Sequence, residues 1–217
     1  MALTQIEQGM LKDGILTADA AGRLKMADGF VNAAKLGAGA ARANFGAGAV
    51  LQIVQAIKTD IWSSNALGSV WNDIPGQGGT GTFQVQITPA SASNKILVMS
   101  HLPMSSTDGQ VGRAQLRRDG NPIFAGDAAG SRPVGTGQTY FSPAAFGSQP
   151  SINIEDLGCI YLDSPGTTST VTYKMVVGAD NTSGGGTVRL NLSNRDTNNT
   201  GNDTRVASSI IVMEIAG

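Results

Sequence analysis

The chain has 217 residues, of which 14% are charged and 5% aromatic, and its formal net charge is −1. Soluble domains usually carry roughly 25% charged residues, and this chain has no basic field to attract nucleic acid or an acidic membrane surface. Its 29 glycines follow no three-residue period, which excludes collagen. A composition rich in Gly, Ala, Ser, Thr and Asn is more typical of an extracellular or structural β protein than of a cytosolic enzyme.

The first 20 residues show no basic segment followed by an apolar core, so no secretory signal is recognised. No apolar run approaches the roughly 20 residues that span a bilayer. A virion released by lysis would explain an extracellular protein without either feature. The single cysteine, Cys159, cannot form an intrachain disulfide, and its apolar neighbours predict a buried thiol. Stability is therefore expected from packing or from association of copies.

Residues 1–36 are predicted to form an N-terminal anchoring segment. A capping-box pattern at Thr4 and Glu7 precedes apolar residues at roughly helical spacing, which predicts one short helix. Such a helix has no core of its own and must dock on another protein. A loose repeat follows, beginning at Asp13-Gly14 and again at Asp28-Gly29, and it indicates either stacked turn units or a coincidence of composition. The expected anchoring side chains are Leu3, Ile6, Met10, Leu11, Ile15 and Leu16.

Residues 37–49 are almost entirely Gly and Ala with few other side chains. Ordering glycine is entropically costly, and small residues bury little surface. Two interpretations fit: a flexible linker, or the neck of an oligomer in which small residues allow several copies to approach an axis.

From residue 50 to residue 217 the hydrophobic period becomes that of β-strands. Residues 95–102 and 208–215 are nearly continuously apolar, which predicts central strands buried on both faces. Asp119-Gly120-Asn121 predicts a hairpin turn, and residues 125–155 are expected to form the longest loop. Eight or nine strands with uneven loops favour a jelly-roll-type β-sandwich over a meander barrel. The predicted strands are 50–57, 82–88, 95–102, 114–118, 122–124, 157–162, 169–177, 186–192 and 208–215.

Few residues carry recognisable chemistry. His101 is the only histidine, so one chain cannot form a multi-histidine zinc site; a packed or interfacial role is expected, or an ion shared by three copies. Glu155, Asp156 and Asp163 lie close in sequence, but they give no glycosidase signature. We predict no catalytic residue, no cofactor and no resident metal.

The loop at residues 194–203 is rich in oxygen ligands, which suit either calcium or ordinary turns. Exposed amides and hydroxyls beside aromatic rings are also typical of shallow carbohydrate binding. Trp71 and Phe146 are equally compatible with core positions. The candidate receptor-binding residues are Trp71, Tyr140, Phe141, Phe146, Asn194, Asp196, Asn198 and Asn199.

Several phrases of the sequence resemble bacteriophage tail fibre proteins. The unit Asp28-Gly29-Phe30-Val31-Asn32-Ala33-Ala34-Lys35-Leu36 is similar to the D-G-x-V-x-x-A-K-L units of those fibres. The phrases that resemble the C-terminal domains of fibre proteins are 50–55 (VLQIVQ), 93–99 (SNKILVM), 116–120 (LRRDG), 161–166 (YLDSPG) and 211–215 (IVMEI).

The resemblance implies a homotrimer on the exterior of a virion, anchored to tail or baseplate proteins by its N-terminus. Its head would then meet a host-surface glycan during adsorption. The chain is shorter than long fibres, so the head is expected close to the particle. The alternatives are a baseplate or decoration protein that contacts only other virion proteins and, from another class, a glycan-degrading enzyme.

Overall fold

The computed structural model describes residues 16–18, 24–26, 46–65, 70–106, 110–141, 152–179, 187–198, 201 and 203–217. The chain divides into two compact units, Met1–Phe45 and Gly46–Gly217. In the first unit, strand β1 (Leu16–Ala18) pairs antiparallel with β2 (Leu24–Met26). The predicted N-terminal helix lies outside the described residues, and so do the anchoring positions Leu3, Ile6, Met10, Leu11 and Ile15. Within the described ranges, no helix is long and apolar enough to cross a membrane.

The second unit, called the head below, is built almost entirely of antiparallel strands. Its strands in chain order are β3 (Val50–Lys58), β4 (Trp62–Ser64), β5 (Asn72–Asp73), β6 (Gln84–Ile87), β7 (Lys95–His101), β8 (Pro103–Ser106), β9 (Gln110–Arg118), β10 (Asn121–Pro122), β11 (Gly137–Phe141), β12 (Glu155–Asp156), β13 (Ile160–Asp163), β14 (Val171–Ala179), β15 (Val188–Leu190) and β16 (Ser208–Ile215).

Two layers emerge from the pairings. One layer has the strand order β13-β7-β16-β3, and its four strands continue across an interruption in the same order as β12-β8-β15-β4. We call this interrupted four-stranded layer sheet I. In sheet II, β9 and β14 pair at the centre, β10 and β11 both pair with β9, and β5 and β6 both pair with β14.

The described head has eight strands when the following neighbours are each counted as one strand: β3 with β4, β5 with β6, β7 with β8, β10 with β11, β12 with β13, and β15 with β16. Sheet I then has the order sixth, third, eighth, first, and sheet II has the order fifth, fourth, seventh, second. This is the strand order of a jelly roll, in which two Greek keys are formed by strands that alternate between the sheets, except that the fourth and fifth both lie in sheet II. The predicted jelly-roll-type β-sandwich is therefore confirmed for the head.

Alternation along the strands builds the core between the two sheets. In β14 the inward residues Tyr173, Met175 and Val177 are buried, and in β16 Ile210 and Val212 are fully buried. Burying each large apolar side chain stabilises the fold by about 1.5–3 kcal/mol. The hydrophobic pattern that predicted these strands is thus the pattern that fills the core.

Hairpin geometry follows the sequence where turn residues are explicit. Arg118 and Asn121 are register partners, and only two residues lie between them. Asp119 and Gly120 both have positive φ, at 50° and 84°, as a type I′ hairpin requires. The predicted hairpin turn is confirmed.

A buried cluster of polar groups bridges the two sheets. Asp163 of sheet I accepts a hydrogen bond from Arg118 Nη1 at 2.7 Å and one from the Tyr173 hydroxyl at 2.6 Å, both donors lying on sheet II. Burial of the phenol and the neighbouring Asp163 carboxylate raise the pKa of Tyr173 well above its usual value. Tyr173 therefore remains a neutral donor, and the carboxylate is satisfied as buried charges must be.

Two details of the predicted strands need correction. Residues 125–155 were expected to be one long loop, yet they contain β11, whose residues pair with β9 across five register positions. Strands β7 and β16 are central as predicted, but only their inward faces are buried. Their outward side chains stay partly exposed, because the second jelly-roll layer covers sheet I on one side.

Candidate functional site

The polar loop at residues 191–207 leaves sheet I at the interruption between β15 and β16. Its first residue, Asn191, is fully buried and has a φ of 67°. The Asn191 Nδ2 donates to the carbonyl oxygens of Lys58 and Asp60, both at 2.9 Å, and its backbone N donates to Pro103 O at 3.1 Å. The base of the loop is therefore fixed to both neighbouring strands.

Asp203 organises the loop. Its carboxylate accepts hydrogen bonds from Arg195 Nη2, Ser193 Oγ and Thr197 Oγ1, each at 2.6 Å. The Arg195 guanidinium and then the two hydroxyls hold the pKa of Asp203 well below its usual value. The side chain of Asp203 is 7% exposed. Three charge-assisted bonds to one carboxylate preorganise this part of the loop.

The loop encloses an open cavity of about 460 Å³, which lies within the usual size range of ligand sites. Its walls carry hydroxyl, amide, carboxylate and guanidinium groups, so donors and acceptors stand side by side. Asp196 accepts a hydrogen bond from Arg205 Nη2 at 2.6 Å across one wall. The lining residues are Ser193, Asp196, Thr197, Asn198, Asp203, Thr204 and Arg205.

The carboxylates of the cavity are already neutralised by arginines. Asp196 is paired with Arg205, and Asp203 is paired with Arg195. Calcium sites in proteins are built from oxygen ligands with several carboxylates. Among the residues that the structure describes, no group of three or more His, Cys, Asp or Glu side chains could hold a metal ion.

The aromatic candidates occupy different environments. Tyr140 is 58% exposed. Trp71 is half-buried between Gly178 and Gly135, where an added Cβ would meet its ring at 3.6 Å and 3.4 Å. Phe141 is 1% exposed and belongs to the core, because alternation along β11 turns it inward while Tyr140 points outward. Phe141 is therefore removed from the candidate surface.

The predicted site residues do not form one surface. Asn194, Asp196 and Asn198 share the polar loop of sheet I, and the last two line the cavity. Trp71 and Tyr140 belong to sheet II: Trp71 packs over Gly178 of β14, and Tyr140 lies in β11. Phe146 and Asn199 lie outside the described residues.

Sequence reasoning missed two features of these surfaces. Phe124 is 48% exposed and stacks on Tyr161 with ring centroids 4.8 Å apart; the hairpin pattern had assigned Phe124 to a strand. Asp203 was noted only as the last residue of a loop whose oxygen ligands suit calcium or ordinary turns. The opposite charges of Arg195 and Asp203 eight positions apart were the signal for the network.

The sequence cluster of carboxylates serves structural roles. His101 Nδ1 lies 2.9 Å from Asp156 Oδ2, while Asp156 Oδ1 accepts from the backbone N of Leu102 at 2.6 Å and of Gly158 at 2.9 Å. Partial burial would raise the pKa of Asp156, but the Leu102 amide, His101 and the Gly158 amide outweigh it and lower that pKa. Asp156 therefore links the backbone segments that lie between β7 and β8 and between β12 and β13, where sheet I is interrupted.

His101 and Cys159 lie beside this interruption and differ in their exposure to solvent. His101 is about half-exposed on the outer face of sheet I, so it is not a packed core residue. The Cys159 thiol is partly buried, and its Sγ lies 3.5 Å from Ser100 Oγ. Burial raises the pKa of this thiol, as expected for an unreactive cysteine.

No protein-family model matches the chain, and no curated protein matches it. Among solved structures, the chain is similar to one in the structure of infectious bursal disease virus Gx strain, with 12% identity and a TM-score of 0.36, over 76% of this chain and 40% of that one. It is also similar to one in the crystal structure of the infectious bursal disease virus VP2 subviral particle, with 12% identity and a TM-score of 0.35, over 76% and 38%. The chain thus spans less than half the length of either. Its function is inferred below from its own residues.

Proposed function

We propose that this chain is a virion structural protein: a short trimeric tail fibre on the exterior of a bacteriophage. Its N-terminal residues attach to tail or baseplate proteins, and its jelly-roll head recognises a host-surface glycan during adsorption. The observation that carries the recognition step is the preorganised polar cavity in the loop between β15 and β16.

The cavity suits a sugar for chemical reasons. Sugar hydroxyls both donate and accept hydrogen bonds, and the walls present hydroxyls from Thr197 and Thr204, an amide from Asn198 and a charged pair of Asp196 with Arg205. Because the network around Asp203 already orders the loop, binding costs less conformational entropy. Individual sugar contacts are weak, and several copies in one fibre would raise the avidity by about 10²–10⁴.

The virion assignment is supported by the tail-fibre phrases of the sequence together with the jelly-roll head. The short N-terminal segment with its apolar positions fits an anchor that docks on a partner protein. Tyr140, exposed on sheet II, remains a predicted ring-stacking position outside the cavity.

Binding of the labelled full chain to bacterial cells and to their purified surface polysaccharide tests this function. Asn198→Ala removes an amide from the cavity wall and is expected to weaken binding by about 10-fold, the effect of one lost polar contact. Gln86→Ala removes an exposed amide from sheet II and is expected to leave binding unchanged. The proposal fails if the wild type binds no cells, or if Asn198→Ala and the wild type bind equally.

A second candidate is a baseplate or decoration protein that contacts only other virion proteins. The exposed isoleucines of sheet I favour it, because contiguous apolar surface commonly marks a protein interface. In that case the full chain would bind purified tail proteins and no bacterial cell.

A further inference from the structure

The outer face of sheet I is apolar and exposed in a single chain. The register places Ile53, Met213, Leu97 and Leu162 in one row across its four strands. The next row is Gln55, Ile211, Met99 and Ile160. Four side chains on the two outer strands are about half-exposed or more: Ile53 at 58%, Ile57 at 52%, Ile160 at 70% and Leu162 at 46%. We call the two rows together with Ile57 the apolar face.

The outer face of sheet II has the opposite character. There Lys174 forms an ion pair with Asp73 at 2.7 Å, and the Gln86 amide donates to Thr172. Part of that surface is covered by the loop after β10, whose Val134 carbonyl accepts a hydrogen bond from Gln115. In the described head, the largest group of exposed hydrophobic side chains therefore lies on the outer face of sheet I, while Val70, Phe124 and Tyr140 are exposed outside that sheet.

The sequence of β7 and β16 also points to a cover on this face. Their nearly continuous apolar runs are the pattern of strands covered on both sides. In the single chain the inward Ile96 and Val212 are fully buried, whereas the outward Leu97 and Met213 remain partly exposed. These outward apolar side chains become buried only when another surface lies against sheet I.

We propose that the apolar face is the surface through which copies of this chain associate, with the same face of each copy turned toward a common symmetry axis. The two defined rows contain no charged side chain, while Lys95 and His101 lie at opposite ends of β7. A second copy therefore brings apolar side chains against apolar side chains without placing like charges together at the centre. Around a threefold axis each contact is heterologous, so different apolar side chains of neighbouring copies meet, and the uncharged rows of this face allow that.

The size of the face suits a specific contact. Its four strands have nine, seven, eight and four residues, so at 3.3 Å per residue and a strand spacing of about 4.8 Å they cover roughly 440 Å² per copy. Full burial of this face in two copies removes about 900 Å² in total, close to the roughly 1,000 Å² expected of a biological interface.

The Gly/Ala-rich residues 37–49 lead directly into β3, one of the four strands of this face. The inference rests on the proposed function only for the expected number of three copies, and the choice of surface is argued from sheet I itself. A head that binds no glycan would leave the proposed surface standing.

Light scattering of the purified full chain over a range of concentrations tests the inference. The wild type is expected at three times the chain mass of 22.2 kDa. Ile53→Lys places a charge in the first row and is expected to raise the dissociation constant by about 100-fold or more, because the charge would be buried unpaired. Leu162→Lys on β13 is expected to act likewise. Gln86→Lys, which adds the same charge to the outer face of sheet II, is the matched control and is expected to keep the wild-type mass.

Circular dichroism and thermal unfolding establish that each variant is folded. A wild type that is monomeric at every concentration overturns the inference, whether residues 1–45 or nothing covers the face. Folded lysine variants with the wild-type mass, or a Gln86→Lys variant that dissociates equally, also overturn it. A dimer that Ile53→Lys dissociates supports the surface and contradicts only the number three.

A measurement on the wild type alone guards against lysine variants that fail to fold. Met99 and Met213 lie in the apolar face. Peroxide should oxidise both thioethers more slowly above the association midpoint than below it, because the contact excludes solvent. Equal oxidation rates on the two sides of the midpoint would overturn the inference.

Discussion

Glu214 is a fully buried carboxylate whose removal should strongly destabilise the head. It lies on β16 with 0% exposure. It accepts hydrogen bonds from Gln52 Nε2, the backbone N of Ala90 and Asn94 Nδ2, all at 2.6 Å. Through these bonds one side chain holds β3, the turn after β6 and β16 together.

The cost of Glu214→Ala follows from the donors it leaves behind. Gln52 Nε2 also donates to Thr88 O at 2.8 Å, so it keeps a partner. The Asn94 amide is buried and loses its partner, and an unsatisfied buried donor costs about 1–3 kcal/mol, whereas the Ala90 N–H belongs to an exposed residue and can hydrogen-bond water. We therefore expect the free energy of unfolding to fall by about 1–3 kcal/mol, which lowers Tm by roughly 2–12 °C for a domain of this size.

Thermal unfolding followed by circular dichroism at one fixed protein concentration measures the change. Glu155→Ala removes an exposed carboxylate from the same sheet and should move Tm by no more than a degree or two, since surface substitutions are usually within about 0.5 kcal/mol. Glu214→Gln keeps one acceptor oxygen but turns an N–H₂ group toward a donor, so its Tm should lie between those of Glu214→Ala and the wild type. A Glu214→Ala protein with the Tm of the control would refute the reasoning.

Three further predictions follow from single contacts. Gly112→Ala should destabilise the head by about 1–3 kcal/mol in urea unfolding, the usual cost of overpacking, because its Cβ would lie 2.7 Å from Phe141 Cε2. Tyr173→Phe removes a donor to Asp163 and should lower the free energy of unfolding by about 1–2 kcal/mol. Because the folded-state pKa of Asp203 is lowered, its contribution to loop order exists above the unfolded pKa and is lost as the pH falls through the folded pKa. The protection factors of the loop amides, which correct for the slower intrinsic exchange in acid, should therefore fall in strong acid, and Asp203→Asn should lower them at neutral pH as well.

Each of these predictions has a matched control. Gly126→Ala adds a methyl group where nothing lies within 4 Å and should be neutral. Tyr161→Phe keeps the ring that stacks on Phe124 and should cost less than the substitution of the buried tyrosine. Asp127→Asn changes an exposed carboxylate and should leave exchange of the polar loop unaltered. Equal effects in a substitution and its control would contradict the mechanism assigned to that contact.

Alternation and turn chemistry were enough to predict most strands of the head. Residues 208–215 were predicted and observed as a strand with the same bounds, because the apolar, β-branched residues at its centre favour an extended, buried strand. The turn at Asp119 and Gly120 was equally readable, since both residues tolerate positive φ. The interruption across sheet I was not readable, because it depends on long-range hydrogen bonds of Asp156 and Asn191 that a local pattern does not show.

Strand β11 shows where local pattern fails. Gly137–Phe141 carries one inward aromatic residue and little else that is apolar, so its pairing with β9 depends on tertiary contact. Because β11 was not predicted, Phe141 was wrongly predicted to be an exposed ring that stacks on a ligand. The space for that ring comes from Gly112, on a neighbouring strand that sequence proximity does not reveal.

The candidate site was predicted in part. The residue types of the loop pointed to polar recognition, but the cavity depends on which of them face inward. Asp203 collects donors from three residues, whereas Asn198 stays exposed on the wall. The exposure of the apolar face was not predicted, because β7 and β16 were expected to be buried on both faces, whereas a single chain covers them on only one.

The claim that this chain is a tail fibre is tested most directly by locating it on particles. Immunogold electron microscopy with an antibody against the head would be applied to particles purified from the lysate in which the chain is produced. The account predicts gold at the tail or baseplate, with the label displaced outward from the tail axis. Gold distributed over the capsid shell, or particles that carry no label while the soluble fraction retains the protein, would contradict it.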